Sequence, residues 1–486
     1  MEPARARASR DRSTPRRRVA VVLTLGIVVA ATACGTRRTH AEMVSAAQTT
    51  GASGTSVAPT GGSASGSASG SAGGSANNGS VARAGDGSSS IVAPSIGGAS
   101  PAGGTAGAGT TPAATAAAAC TGSKAPIVIG TVGQQSGLFG QIVGLGPKAV
   151  QAWAAMVNAR GGIDCHPVEY FIVDDGGDPA RHQAAIRDLV ENKKVIAFVQ
   201  MDGPMTADSS VAYLNAHRIP VIGSELAIEM GYYTSPTYFP QGPAGRGLAE
   251  AELATAAATG KTRLATISCV EVAVCSKLYD YSAQYASKYG LTQVYRGRVS
   301  LVQPDFVAQC QAAKDAGADV FLLGVDGNSA VRVARSCASI QYRPQYVLFY
   351  PVLTPNVASE PLLDGAVSLV PGTPWVVPGN TAVQEMNDAI ARYAPGIPMS
   401  GNIETGWVSA KLFEAGVTGH LDNAPTSQNV LDGMSSLKNN DLGGLSQPFT
   451  FTNGQPAPRS YCIWSIVIRN GSFASPDNGR RNCATF

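Results

Sequence analysis

The sequence predicts an α/β protein of two similar lobes, each carrying a parallel sheet, joined by a hinge. Three observations predict it. Between residues 126 and 350 short β-branched runs alternate with helical stretches at intervals of roughly 20 to 30 residues, the pattern of repeated strand–helix–strand units. Most of the strand runs are apolar throughout, as strands covered on both faces are. The series breaks at "SPTYFPQGPAGRG", residues 235 to 247, where Pro and Gly cluster, and then restarts with a weak echo of itself.

Taken in order, residues 1 to 34 read as an export signal. A basic stretch, "ARARASRDRSTPRRR", precedes the apolar run "VAVVLTLGIVVAATA", and Cys34 follows directly. About fifteen apolar residues fall short of the roughly twenty that a bilayer span needs. Ala31, Thr32, Ala33 and Cys34 are similar to a bacterial lipobox, whose cysteine becomes the lipid-modified first residue of the mature chain, with Ala31 where Leu is usual. The same "ATA" satisfies the A-x-A rule of ordinary secretion, so a lipid anchor at Cys34 and simple release both stay open; export follows from either. Residues 35 to 119 are Gly, Ser, Ala and Thr with almost no large apolar side chains, too little burial to offset ordering entropy. They read as a disordered tether with an r.m.s. reach of about 50 Å, or as a glycosylated stalk.

The folded part is residues 120 to 486. Its strands read "IVIGTV", "VEYFIV", "VIAFV" and "IPVIG", then "RLATIS", "QVYRGRVS", "DVFLLG" and "QYVLFY". In "PKAVQAWAAMVNARGG", Val150, Trp153 and Val157 recur on one helical face, with Pro147 opening the helix and Gly161 stopping it. "DFVAQCQAAKDAG" repeats the design with Phe306, Cys310 and Ala313 between Asp305 and Gly317. The echo is "VIAFVQMDGPMTADSSVAYLNAHRIPVIG" against "DVFLLGVDGNSAVRVARSCASIQYRPQYVLF", each strand, Asp-Gly, helix, strand. Asp202 and Asp326 therefore hold equivalent places, at carboxyl ends of strands where parallel sheets line their ligand crevices. Each Asp either caps a helix only or caps and faces a cleft. Beyond residue 360, "NTAVQEMNDAIARYA", "ETGWVSAKLFEAGV" and the strand "YCIWSIVIR" return the chain to each lobe, so several crossovers form the hinge.

Besides Cys34 there are eight cysteines, an even set in an exported chain, where oxidised pairs are expected. Nearest-neighbour pairing is the expectation: Cys120 with Cys165, Cys269 with Cys275, Cys310 with Cys337, Cys462 with Cys483. No pair has zinc-site spacing and histidines are few, so no metal is expected. The net charge of +3 is small and much of the basic excess lies in the signal, which excludes a nucleic-acid partner.

"GQQSGLFG", residues 133 to 140, follows the first strand but lacks G-x-G-x-x-G, and "GLGPKA" at 144 to 149 starts a helix a dozen residues too late for a dinucleotide turn. Asp174 and Asp175 imitate a ribose-binding acid. No G-x-x-x-x-G-K-[ST], G-x-S-x-G or H-E-x-x-H occurs in the folded part, and "SSLK", Ser435 to Lys438, reads as the end of a helix. Neither a catalytic residue nor a cofactor is expected.

"IVIGTVGQQSGLFGQIVGLGPKAVQAWAAMVNARGGI" followed by "VEYFIVDDGGDPARHQAAIRDLVENKKVIAFV" resembles the leucine/isoleucine/valine-binding-protein family, type I periplasmic solute-binding proteins of ABC importers. The likeness rests on the strand followed by "SG", the helix ending "NARGGI", and the turn at Asp174, Asp175, Asp178 and Pro179, and covers about residues 125 to 470. It implies two Rossmann-like lobes joined by three crossings, lobe 1 at about 120–241 plus 366–440 and lobe 2 at about 242–365 plus 441–486. It further implies capture, without a reaction, of a small polar ligand (an amino acid, amide or related small acid) for an ABC permease; with the signal and Cys34 the expected place is the extracytoplasmic face of the cell membrane, lipid-anchored. A ligand-sensing ectodomain of the same fold, or an exported α/β enzyme, are the alternatives. The family's ligand-holding loops read "QMDGPMTA" and "GSELAIEM" here. Ser136 and Ser224, with backbone N–H groups near Leu226 and Ala227, are placed to receive an acid group, Asp202 and Glu225 are placed to receive a cation, and Gln135 is a further ligand-binding candidate. Met201 and Asp202 stand where the family has serines. Glu271, Asp326 and Tyr350 resemble the closing wall of the second lobe.

Overall fold

The computed structural model describes residues 120, 122–137, 140, 143–224 and 230–485. The export signal, the tether, Cys34, Glu225, Leu226 and Ala227 lie outside the described residues.

The first lobe runs β1 (Ile127–Gly133), α1 (Gly146–Ala159), β2 (Val168–Asp174), α2 (Pro179–Glu191), β3 (Ala197–Met201), α3 (Val211–Ala216), β4 (Val221–Ser224), α4 (Met230–Thr234) and β5 (Tyr238–Phe239). The second continues with α5 (Arg246–Ala258), β6 (Arg263–Cys269), α6 (Ala273–Tyr285), β7 (Thr292–Val299), α7 (Val307–Asp315), β8 (Val320–Gly324), α8 (Gly327–Ser339), β9 (Gln345–Leu348), the short α9 (Pro355–Ala358) and β10 (Val367–Val370). Then come α10 (Thr381–Tyr393), α11 (Gly401–Val417), α12 (Ser427–Ser436), β11 (Ser460–Arg469), β12 (Ser472–Ala474) and β13 (Arg481–Thr485).

The first sheet has the order β2-β1-β3-β4-β5, all parallel. Five strands of the second repeat it as β7-β6-β8-β9-β10, again parallel, and antiparallel β11 extends that sheet with β12 and β13 beside it. The expected duplication is therefore real, with β3 matching β8 and so Asp202 matching Asp326. Every strand run and helix anticipated from the pattern forms, within a few residues at each end.

Two expected boundaries shift. Val367–Val370 was placed in the returning run of the first lobe, but it is β10 of the second sheet, so the second crossing comes after Val370. Residues from 441 were placed in lobe 2, yet Phe451 packs edge-on against Phe239 at 5.1 Å and the Ala457 N–H reaches the Tyr232 carbonyl, both in the first lobe. The third crossing thus lies just before β11.

Local signals explain the helix starts. Asp178 accepts the Ala180 and Arg181 N–H groups, and Pro179, with its fixed φ, opens α2. Asp326 caps α8 and Asn380 caps α10 in the same way, while Thr426 and Asn429 form a reciprocal box at α12. The α11 helix is buried around most of its circumference because it is wedged against α1 and the first sheet. Gly223 at β4 (φ 59°) lets the strand meet Ser409 of α11; a Cβ there would overlap the Ser409 side chain. Trp153 and Trp407, fully buried on α1 and α11, anchor that packing; truncating either to Ala costs about 3 to 5 kcal/mol.

The four disulfides join Cys120–Cys165, Cys269–Cys275, Cys310–Cys337 and Cys462–Cys483, the nearest-neighbour set. Cys462 and Cys483 face each other directly across β11 and β13. Among the described residues no helix is long and apolar enough to cross a membrane.

Candidate functional site

Strand order reverses between β1 and β3 in one sheet and between β6 and β8 in the other, so the loops after these four strands flank the crevice positions of parallel sheets. In the first lobe they are held by the acidic turn after β2. The Asp174 carboxylate accepts the Gln135 N–H at 2.9 Å, the Gly176 N–H at 2.9 Å and the Ser136 side chain. Burial pushes its pKa up, but those hydrogen bonds outweigh burial and hold it below the usual carboxylate value. Asp175 is buried, which also works against ionisation, yet His182 Nδ1 at 2.8 Å, Thr206 Oγ1 at 2.6 Å and the Gly177 N–H at 2.8 Å together lower its pKa. The Ser210 hydroxyl lies 3.1 Å from His182 Nε2 and donates to the Ala207 carbonyl at 3.0 Å. An acid, a histidine and a serine in that order invite a catalytic reading. All three are buried, and together they clamp the loops after β2 and β3 onto one another.

The anticipated residues are thus distributed unevenly. Ser136 is spent on Asp174. Gln135 is half-buried, with Nε2 lacking a hydrogen-bond partner among the described residues. Met201 is core at the end of β3. Asp202 is fully buried; its carboxylate accepts Gln200 Nε2 at 3.0 and 3.1 Å, and its carbonyl accepts the Gln134 N–H at 3.0 Å. Gly133 is glycine for this reason, because a Cβ would collide with the Asp202 carbonyl. Ser224 ends β4. Glu271 accepts Ser300 Oγ and the Leu301 N–H, each at 2.8 Å, and so fixes the loop after β7. Tyr350 turns into the core, where Gly401 approaches its carbonyl.

What the structure does assemble is a groove of about 70 Å³ at the carboxyl ends of β6 and β8. Among the described residues anticipated to bind ligand, Asp326 alone lines it, and it also caps α8 through the Asn328 and Ser329 N–H groups at 2.9 and 3.1 Å. Its equivalent, Asp202, caps no helix. Most of the wall is apolar: Val272, Val274, Leu278, Leu301, Val325, Phe349 and Val352 from the second lobe, with Val143 and Pro204 from the first. The Cys269–Cys275 disulfide forms part of it. Three further polar side chains reach it, Glu252 of α5 and Lys277 and Tyr281 of α6. Glu252 is 1% exposed and, among the described residues, neither carboxyl oxygen has a hydrogen-bond partner; burial pushes its pKa up to about 8.

Two of these were within reach of sequence reasoning. Phe349 is the neighbour of Tyr350; the ring facing the groove is one position earlier than anticipated. In the helix "RGLAEAELATAAA", Glu250 has Arg246 four residues before it, and the two pair at 2.7 Å. Glu252 has only Leu248, Ala249, Thr255 and Ala256 at helical neighbour positions, which marks it as an acid on an apolar face.

Comparison with known proteins follows the same geometry. A model of periplasmic binding proteins matches residues 126–467. No curated protein matches the chain. Among solved structures, the chain is similar to the solute-binding protein of an ABC transporter from R. palustris in complex with benzoate (14% identity, TM-score 0.61, covering 74% of this chain and 97% of that one). It is similar to a possible leucine/isoleucine/valine-binding protein from Rhodopirellula baltica SH 1 (16%, TM-score 0.63, 74% and 99%). A branched-chain amino acid ABC transporter protein from Thermus thermophilus with bound valine gives 14%, TM-score 0.64, 73% and 96%.

Proposed function

We propose a function from one premise, that the chain belongs to the periplasmic binding protein family. Membership implies a type I binding-protein fold, an extracytoplasmic location and a small-molecule ligand. Within that frame the chain captures a small organic solute in the groove between its lobes and presents it, unaltered, to an ABC permease. The observation that supports this reading is the groove itself, whose wall draws on the second lobe and on Val143 and Pro204 of the first. A solute touching both sides favours the closed state by the contacts it makes only there.

The ligand class moves from the polar small molecule anticipated earlier to an amphipathic one, because the lining is predominantly apolar with few polar groups. Calorimetry with solute recovered from the purified protein tests it. Leu278→Arg, which places a charge in the groove wall, abolishes binding while leaving far-ultraviolet circular dichroism unchanged; binding unaffected by that substitution would remove the groove from the account.

Residues 1 to 34 direct export, Cys34 carries a lipid, and residues 35 to 119 tether the binding domain to the outer face of the membrane. Cys34→Ser then releases the protein from the membrane fraction in cell fractionation; retention of the variant contradicts the anchor.

A further inference from the structure

Resting on the capture reading, we propose that Glu252 receives the head group of the ligand and that this ligand is a small amphipathic cation, a primary ammonium or amidinium on an apolar body. Two features of the groove lead there. Both Glu252 oxygens are buried and lack a hydrogen-bond donor among the described residues, and the residue lines the groove. A buried acceptor left unmade is costly, and nothing else in the wall supplies the missing donors. The rest of the wall, from Val272 and Leu278 to Val325 and Phe349, fits an apolar body.

A cationic N–H head group satisfies both oxygens and stabilises the ionised form of Glu252, which burial alone disfavours. A carboxylate head would set acid against acid. Of the charged and titratable groups on the elements packed around α5, Lys277, Tyr281 and Asp326 share the groove with Glu252. Asp326 is occupied in capping α8, and Lys277 is only half-buried, so its ammonium is shared with solvent. Arg246, Lys288 and Tyr289 gather instead on Glu250, which points about 200° away around the helix. Tyr279, Asp280 and Tyr285 on α6, Tyr346 on β9, Tyr350 after it, and Tyr461 and Arg469 on β11 lie on or beside the same elements, and none of them hydrogen-bonds Glu252.

The test is isothermal titration of the full chain with benzylamine, benzoate and valine at pH 6, 7 and 8. Benzylamine, protonated across this range, binds and gains about 50-fold in affinity from pH 6 to pH 8 as Glu252 ionises. Near pH 7 about one proton is released per ligand, read from the dependence of the heat on the ionisation enthalpy of the buffer. Glu252→Gln lowers benzylamine affinity at least about tenfold at pH 8 and flattens the pH profile. Absence of benzylamine binding, a flat profile in the unmodified chain, or preference for benzoate or valine each overturns the assignment. Native mass spectrometry on the same sample separates the two readings: a bound small-molecule mass alongside failure of benzylamine sinks only the cation, whereas a bare chain removes capture as well.

Discussion

Glu252 has a cost in the empty protein that can be measured. Its unfolded value is near 4.5 and burial raises the folded value to about 8, so between those limits the native state holds a proton that the unfolded chain does not. The stability this confers is complete below the unfolded value and is lost as pH rises through the folded one, at about 1.4 kcal/mol per pH unit. Glu404, buried at the start of α11 beside Gly372, is pushed upward by burial too, but it is common to both proteins being compared. Glu252→Gln should therefore become progressively more stable than the unmodified chain from pH 5 to pH 8 in urea unfolding; a difference independent of pH contradicts the burial argument. Asp175 has the opposite sign. Its folded pKa is depressed, so its contribution is present above about pH 4 and disappears in acid. Asp175→Ala at pH 7 leaves His182, Thr206 and the Gly177 N–H without their acceptor and should cost about 3 to 5 kcal/mol. At this scale the sequence was informative where a side chain serves its own neighbourhood. An Asp before a Gly after an apolar strand announces the cap at Asp326. The partners of Ser136 and Asp202, Asp174 and Gln200, are set by loop folding that residue type does not disclose.

Among elements, the ones legible beforehand are those with enough residues to show a period. The helices α1 and α7 carry their apolar stripe openly, and the strands β1, β3, β6 and β8 are unbroken apolar runs between turn residues. β10 was passed over because "VSLV" is four residues between Gly and Pro, and β5 is two residues long. β13, "RNCAT", has no apolar face to announce it; it is held by antiparallel pairing to β11 and by the Cys462–Cys483 bond. Replacing both cysteines by serine should cost about 3 kcal/mol in the chain-entropy model and speed hydrogen exchange in β13. Ligand affinity should stay as it was, since β13 lies on the far edge of the second sheet from β6 and β8; loss of binding would show that this edge is coupled to the groove. The turn Asp174-Asp175-x-x-Asp178-Pro179 was noticed as a motif of resemblance, and its physical content is a scaffold in which one acid holds the loop after β1, the next holds the loop after β3, and the third caps α2.

For the molecule as a whole, duplication was the informative signal. Two runs of the same order, divided by one Pro/Gly cluster, already imply two parallel sheets with matching crevices, and the observed orders 2-1-3-4-5 and 7-6-8-9-10 carry that through. Which residues face the groove was not legible, because that depends on how α11 and the three crossings set one lobe against the other, a packing result rather than a pattern along the chain. The groove then draws mainly on the second lobe, through α5 and α6, which family likeness did not single out. The claim on which the rest depends is that this groove takes up one small molecule and leaves it unchanged. Native mass spectrometry of the full chain, incubated with a small-molecule extract of its growth medium and desalted without unfolding, tests that claim most directly. The account predicts a one-to-one complex whose ligand, released by acid, has the same mass as a component of the extract, and which is missing from Leu278→Arg. A spectrum holding only the bare polypeptide, or release of a product absent from the extract, would contradict it.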